Sequence, residues 1–418
     1  MNTSETTLNN SPYAALKYPQ FVAYIFGNGF FTMALLMQEV VLGYELYKIT
    51  HDPLALGLIG LAEALPYISL ALFGGYFADR RDKKIIMLIS LFVILLGSIS
   101  LVWAMSPASG FGISQKLWTV YGMVILIGFS KGFYSPASSS LNPFLVPKEI
   151  FGNAATWASS LWQSGAILGP GVAGFLYAYL GLVNTLWFVV GLLVVVMILI
   201  STITSPPIPE KNEVKVDIFT SLKEGIKFVF STKIILYSIS LDLFSVLFGG
   251  VIALLPVFAE DVLKVGAEGL GVLRAAPSIG AVSTMFLMVY FPPLKNAWRN
   301  LLLAVGGFGL ATLIFAFSTN FTLSIIALFC TGAFDSVSVV IRQTILRFFT
   351  PDEMRGRVAS VNGIFVSSSN ELGAFESGLL AKLMGTVPSV IFGGAMTLII
   401  VCVVWVRSKE NFKMKIEH

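Results

Sequence analysis

Pro206-Pro207-Ile208-Pro209-Glu210-Lys211-Asn212-Glu213-Val214-Lys215-Val216-Asp217 is the longest polar stretch inside this 418-residue chain. Three prolines within four residues stop a helix, and the charges hold the segment in water. Both flanks are too apolar for a water-soluble fold. The chain is 56% hydrophobic and only 12% charged, whereas an average soluble protein is about one quarter charged. A single soluble core also stops growing near about 250–300 residues. Composition thus excludes a soluble enzyme, a nucleic-acid binder and a disordered scaffold, and leaves a polytopic membrane protein.

Crossing a bilayer takes about 20 mostly apolar residues. Six such runs precede the stretch, at roughly 21–47, 54–78, 85–106, 116–142, 153–178 and 183–205. Six follow it, at roughly 233–258, 267–292, 299–318, 321–347, 357–382 and 386–407. The runs are long and unbroken, without the short alternating segments of a membrane barrel, so an all-α integral membrane protein with twelve transmembrane helices is predicted. Beyond Asp217, Ile218, Leu222, Ile226 and Val229 recur at helical spacing, with Lys223 and Lys227 on another face. That pattern predicts a short helix lying in the membrane interface. The expected organisation is a six-helix bundle over 1–205, a cytoplasmic linker with its interfacial helix over 206–232, and a second six-helix bundle over 233–418.

Lysine and arginine set the orientation. With the N-terminus inside, twenty of them fall on cytoplasmic segments, against four on outer loops (Lys48, Lys116, Lys264 and Lys382) and three within spans. Both termini are therefore expected in the cytoplasm, in a multi-pass plasma-membrane protein, which means the inner membrane in a Gram-negative cell. The first twenty residues are polar and carry no cleavable signal, so the first span is expected to act as its own insertion signal. His51 and His418 are the only histidines, which argues against histidine-ligated metal and histidine-base chemistry. Cys330 and Cys402 lie in apolar runs and read as free thiols. No glycine-lysine phosphate cradle is present. No cofactor is expected, and ATP is not expected to be the direct energy source.

The two halves repeat. An offset of 204 residues lays Val146-Pro147-Lys148-Glu149 on Thr350-Pro351-Asp352-Glu353, and Gly128, Gly152, Gly169 and Gly174 on Gly332, Gly356, Gly373 and Gly378. Parallel six-span repeats of this kind are a transporter architecture, with the site near the membrane midplane.

Gly75-Tyr76-Phe77-Ala78-Asp79-Arg80-Arg81-Asp82-Lys83-Lys84, between the second and third spans, resembles the loop motif G-x-L-A-D-R-x-G-R-K of the major facilitator superfamily, departing at Asp82 where glycine is usual. Gly165-Ala166-Ile167-Leu168-Gly169-Pro170-Gly171-Val172-Ala173-Gly174 is similar to the fifth-span motif of that superfamily's antiporters, departing at Ala173. Leu54-Ala55-Leu56-Gly57-Leu58-Ile59-Gly60 and Arg355-Gly356-Arg357-Val358 resemble its enterobactin-exporter-like, drug-efflux branch. The resemblance implies two pseudo-symmetric bundles. Helices one, four, seven and ten would line a cavity, two, five, eight and eleven would form the interface, and the other four would face lipid. It also implies a gating set: Asp79 latched to the region of Arg355 and Arg357, with Gly75 and Arg80 in the same loop. Gly165, Gly169 and Pro170 would shape the gate from span five.

A charge at the bilayer centre costs about 2.5–3.5 kcal/mol on insertion scales, so each embedded charge should face protein or water. The candidates for substrate binding or coupling are Glu39, Lys131, Asp242, Asp335, Arg342 and Glu371. Glu63 and Arg274 each stand three residues before a proline in matching spans, and are expected to pair as a structural or gating contact. Glu45 reads as a solvated rim residue. Lys131 and Asp335 are equivalent under the repeat offset and form an expected pair, with Arg342 as a second basic partner two turns from Asp335. A carboxyl group out of water can exchange protons, as proton-driven transport requires.

These features predict a monomeric secondary active transporter without enzyme activity, working by alternating access and exporting an amphiphilic, drug-like small molecule in exchange for protons. A siderophore or other secreted-metabolite exporter and a lipid or lysolipid flippase are alternatives within that class. A transporter-derived sensor or a membrane enzyme would be a different class. The expected partners are a small-molecule substrate, protons and the lipid bilayer, with no nucleic acid.

Overall fold

The computed structural model describes residues 11–205, 218–351, 354–408, 410 and 412, with the side chains of part of 71–80, of 218–222, and of 360, 364 and 367 left out. Among the described residues, all regular structure is helical. Helix α1 spans Pro19–Thr50, α2 Pro53–Arg80, α3 Lys83–Met105 and α4 Ile113–Leu141. Pro19 and Pro53 open their helices, where a missing N–H leaves nothing unsatisfied. Asp82 is the N-cap of α3, its Oδ1 accepting from the Ile85 N–H at 3.2 Å. An aspartate at the place where the motif usually has glycine thus starts a helix.

The helical run Phe151–Ser201 is broken at Gly181 (φ 78°, ψ 172°), which makes it two helices, α5 (151–180) and α6 (182–201). The left-handed φ favours glycine, so one residue turns the chain where a loop would otherwise stand. Pro170 lies inside α5, and the chain keeps helical dihedrals there.

Helix α7 (Ile218–Ser231) is the short amphipathic helix, and α8 (Lys233–Phe248) follows it directly. Gly249 and Gly250 interrupt the next span before α9 (Val251–Val257), which continues into a wide π turn at Phe258–Val262. At the interruption the carbonyls of Val246, Leu247 and Phe248 lie against Gly373 and Gly393, so glycines on neighbouring helices admit the unwound backbone. The remaining helices are α10 (Gly266–Tyr290), α11 (Ala297–Phe317), α12 (Phe321–Phe349), α13 (Arg355–Met384) and α14 (Thr386–Arg407).

Ten described segments are long and apolar enough to cross a membrane. One of them contains both α5 and α6, and α13 reaches the same length with 30 residues but is more polar than the others. Counting both gives the twelve expected spans.

The chain divides into two compact units. Within the described residues, the first comprises 11–45 and 65–205, and the second comprises 46–64 and the chain from 218 onward. In the first, Leu91, Ile94 and Leu101 of α3 and Val120 and Val124 of α4 are buried. Gly165 of α5 packs on α1, since a Cβ there would stand 2.4 Å from the Gly29 carbonyl oxygen. Gly169 repeats the contact one turn on, 3.0 Å from the Met33 oxygen. In the second unit a core forms around Trp298, with Ile235, Leu301, Ile341, Val358 and Val229, and the Trp298 indole donates to Ser408 Oγ at 2.8 Å.

Residues 46–64 are an integral part of the second unit. Tyr47 donates to Asp261, and Lys382 Nζ donates to Asp52 Oδ2 at 2.7 Å. Gly57 meets the backbone at Ala374 and Phe375, and Gly60 lies beside Ala374 and the Glu371 carboxylate.

Candidate functional site: a buried ion pair and its recess

Asp242 is the tenth residue of α8, and Arg342 sits in the C-terminal half of α12. Arg342 Nη1 and Asp242 Oδ1 form an ion pair. The two residues are only 3% and 6% exposed, so each charge depends on the other in place of water. Asp335, Ser338 and Arg342 share a face of α12 at i, i+3 and i+7, while Asp242 and Ser245 share a face of α8 at i and i+3.

Between them lies a small recess of about 10 Å³, room for about one water molecule, lined by Asp242, Ser245 and Val246 of α8, Val305 and Phe308 of α11, and Phe334, Asp335 and Ser338 of α12. The Ser245 hydroxyl donates to the Leu241 carbonyl, and Gly307 lies against the Phe334 ring. Aromatic and aliphatic walls with two carboxyl groups, one neutralised by a guanidinium, suit the holding of a proton.

The first unit has a neutral counterpart. Asn28 is likewise the tenth residue of its helix, α1. Under the 204-residue offset, Ser138 corresponds to Arg342, Tyr134 to Ser338 and Lys131 to Asp335. Ser138 Oγ donates to Asn28 Oδ1 at 3.0 Å, Tyr134 OH donates to the same oxygen at 3.3 Å, and Tyr24 OH donates to the Ser138 carbonyl at 2.9 Å. Phe31 packs on Tyr134, the ring centroids 4.2 Å apart. Each unit therefore ties this pair of helices together at matching positions in the repeat, one with amide and hydroxyls, the other with opposite charges.

The other predicted residues fall as follows. Glu39 lies half-buried on α1 beside Gln38, whose Oε1 accepts from Ser98 Oγ at 2.7 Å. Glu45 is half-buried and accepts from Tyr177, whose ring packs edge-on to Tyr44 at 5.2 Å, so the residue expected at the rim has a hydrogen-bond partner. Lys131 is half-buried on α4 in the first unit, whereas Asp335 belongs to the second. Glu63 and Arg274 both belong to the second unit, on α2 and α10, and both are half-buried. Glu371 lies on α13 beside Gly60.

The side chains of Gly75, Asp79 and Arg80 lie outside the described residues, so the latch expected there has no structural description. Arg355 is exposed at the start of α13. Arg357 is held by Glu224 of α7 at 2.6 Å and donates to Met354 Sδ at 3.3 Å.

Sequence reasoning assigned Arg342 to Asp335 and missed its pairing with Asp242. The available signal was positional, because Asp242 and Asn28 hold the same place in their helices while Arg342 and Ser138 are related by the repeat. The Glu224–Arg357 and Asp52–Lys382 pairs were missed because each joins segments far apart in the chain.

Comparison with known proteins supplies the remaining evidence. The profile of the Major Facilitator Superfamily matches residues 20–374. The multidrug efflux pump Tap of Mycolicibacterium fortuitum is 24% identical over 366 residues, covering 82% of this chain and 85% of that protein. The enterobactin exporter EntS of Escherichia coli O1:K1 / APEC is 24% identical over 389 residues, covering 92% and 90%. In fold, the chain is similar to the nucleoside transporter NupG, with a TM-score of 0.72 at 12% identity, covering 95% of this chain and 100% of that one. A bacterial homolog of the human lysosomal transporter Spinster gives a TM-score of 0.70 at 16% identity, covering 94% and 96%.

Proposed function

The chain belongs to the Major Facilitator Superfamily, and from that premise we propose that this multi-pass membrane transporter is a proton-coupled exporter of an amphiphilic small molecule, working by alternating access. The observation that carries the reading is the recess between α8, α11 and α12, where Asp335 lies near a second carboxylate, Asp242, that Arg342 already neutralises. Among the described residues Asp335 makes no ion pair or side-chain hydrogen bond. In this reading Asp335 exchanges the proton, Phe308 and Phe334 accommodate the apolar part of the substrate, and the Asp242–Arg342 pair fixes α8 against α12 beside the site. Lys131, Glu39 and Glu371 contribute charge elsewhere along the substrate path. Gly165 and Gly169 support gating through close packing, and Asp79 with Arg355 acts at the cytoplasmic end. We take 1–205 and 233–418 as the functional bundles, joined by 206–232 and with residues 46–64 of the first seated on the second, and both termini in the cytoplasm.

Export is favoured over uptake because Tap is an efflux pump and EntS an exporter. The EntS match over most of both chains also favours a second reading, in which the cargo is a siderophore or a similar secreted metabolite. Profiling the medium of a deletion strain against its complemented parent decides the matter. A compound that falls in the medium and accumulates in the cells identifies the cargo, and purified protein in liposomes should then move it only against a counterflow of protons. Movement of that compound at full rate without a proton gradient would overturn the coupling.

A further inference from the structure

Helix α7 is seated on the second unit by one face. Gly225 lies so close to α13 that a Cβ would stand 3.0 Å from the Arg357 carbonyl oxygen and 3.1 Å from Val361 Cγ2. Val229 is 1% exposed in the core around Trp298. Glu224, the only carboxylate in Ile218–Ser231, is held by Arg357 at 2.6 Å. Seating these residues fixes what the opposite face presents. Lys223, Ile226, Lys227 and Phe230 stand at i, i+3, i+4 and i+7 and are all exposed, Ile226 by 38% and Phe230 by 59%. Two ammonium groups and two large apolar side chains thus share a surface that carries no acid of its own. Membrane-spanning α8 begins at Lys233, just beyond Thr232, so this face stands three to ten residues from the start of a span.

We propose that the Lys223–Ile226–Lys227–Phe230 face is a docking site for anionic phospholipid of the cytoplasmic leaflet, with the lysines on the lipid phosphates and Ile226 and Phe230 among the upper acyl chains. The charge pattern selects this occupant: an interfacial helix needs an apolar layer bordered by negative charge, and the bilayer beside α8 supplies both. Zwitterionic lipid offers the apolar layer without the net charge. Naming the leaflet rests on the proposed topology, but the docking does not, because vesicles with the same lipid in both leaflets present it to either orientation.

The test uses the full chain with Cys330→Ser, Cys402→Ser and Ile226→Cys, spin-labelled at position 226 and reconstituted into vesicles of phosphatidylcholine alone or with one third phosphatidylglycerol. Collision with oxygen and with a water-soluble nickel chelate reports whether the label sits among acyl chains or in water. The label should be oxygen-accessible and chelate-protected in the anionic vesicles and shift toward water in the neutral ones. Each lysine near an anionic surface is worth about fivefold, so Lys223→Gln with Lys227→Gln should cut the docked-to-undocked ratio about thirtyfold in anionic vesicles. A label equally deep in both vesicle types and indifferent to the lysine changes would overturn the proposal. So would a label in water throughout, or one shielded from both probes in lipid-free detergent, which would mean that a second copy of the chain covers the face.

Discussion

Replacing Asp242 with asparagine strands the Arg342 guanidinium, and the structure sets what that should cost. At 3% and 6% exposure neither partner can recover its charge from solvent, which is the regime in which breaking a pair costs about 3–5 kcal/mol. The ratio of folded to unfolded protein should then fall by roughly two to nearly four orders of magnitude. The first unit indicates the remedy, since Asn28 and Ser138 hold the corresponding positions with a 3.0 Å hydrogen bond and no charge. We predict that Asp242→Asn and Arg342→Ser are each severely destabilising, while the double variant recovers to within about 1 kcal/mol of the parent. The assay is reversible denaturation in detergent micelles, read as a double-mutant cycle. A double variant as unstable as the sum of the two single ones would refute the claim that the charges are held by each other. A single variant with unchanged stability would do the same.

Other expectations follow from the same packing. In α5, Gly165→Ala puts a methyl group 2.4 Å from the Gly29 backbone oxygen and should cost about 1–3 kcal/mol; Gly171→Ala meets nothing within 4 Å and should stabilise by up to about 1 kcal/mol, so thermal denaturation of the two should move in opposite directions. Lys382→Ala removes an ion pair whose side chains are 48% and 35% exposed, and should cost less than about 1 kcal/mol in the same assay. Under the proposed coupling role, Asp335→Asn should abolish pH-gradient-driven export from liposomes while sparing substrate exchange at equal pH; wild-type driven export would sink that role. On the proposed topology, single cysteines at Asn212 and Asn320, in a background lacking Cys330 and Cys402, should differ in intact cells, with only position 320 reacting with an impermeant thiol reagent.

The helices were legible because each span is a long apolar run bounded by a residue that must stop it: Asp82 before α3, Gly181 between α5 and α6, Asn320 before α12. Such boundaries are local, set by caps and backbone freedom. The partner of Arg342 is not local. Spacing alone puts Asp335 and Arg342 on one face of α12, but seven residues separate them by two turns of helix, and an arginine bonds to whichever carboxylate the neighbouring helix brings within reach. That depended on how α8 packs on α12. The Arg357–Glu224 pair was hidden for a similar reason: its acid lies on α7, and the 3.6-residue period gives that helix an apolar face without naming the helix on which the face will rest.

The second unit is assembled from two pieces of chain made at different times. Residues 46–64 leave the ribosome long before α13, yet Gly57 and Gly60 lie against Glu371, Ala374, Phe375 and Gly378 of that helix. During synthesis the α13 side of that seam is missing until nearly the whole protein has been translated. A nascent chain arrested before residue 371 should therefore depend on membrane chaperones and be cleared by quality-control proteases faster than one arrested after residue 384, a difference that pulse-chase of truncated chains can measure. Equal lifetimes for the two would mean that the early piece finds shelter elsewhere while it waits.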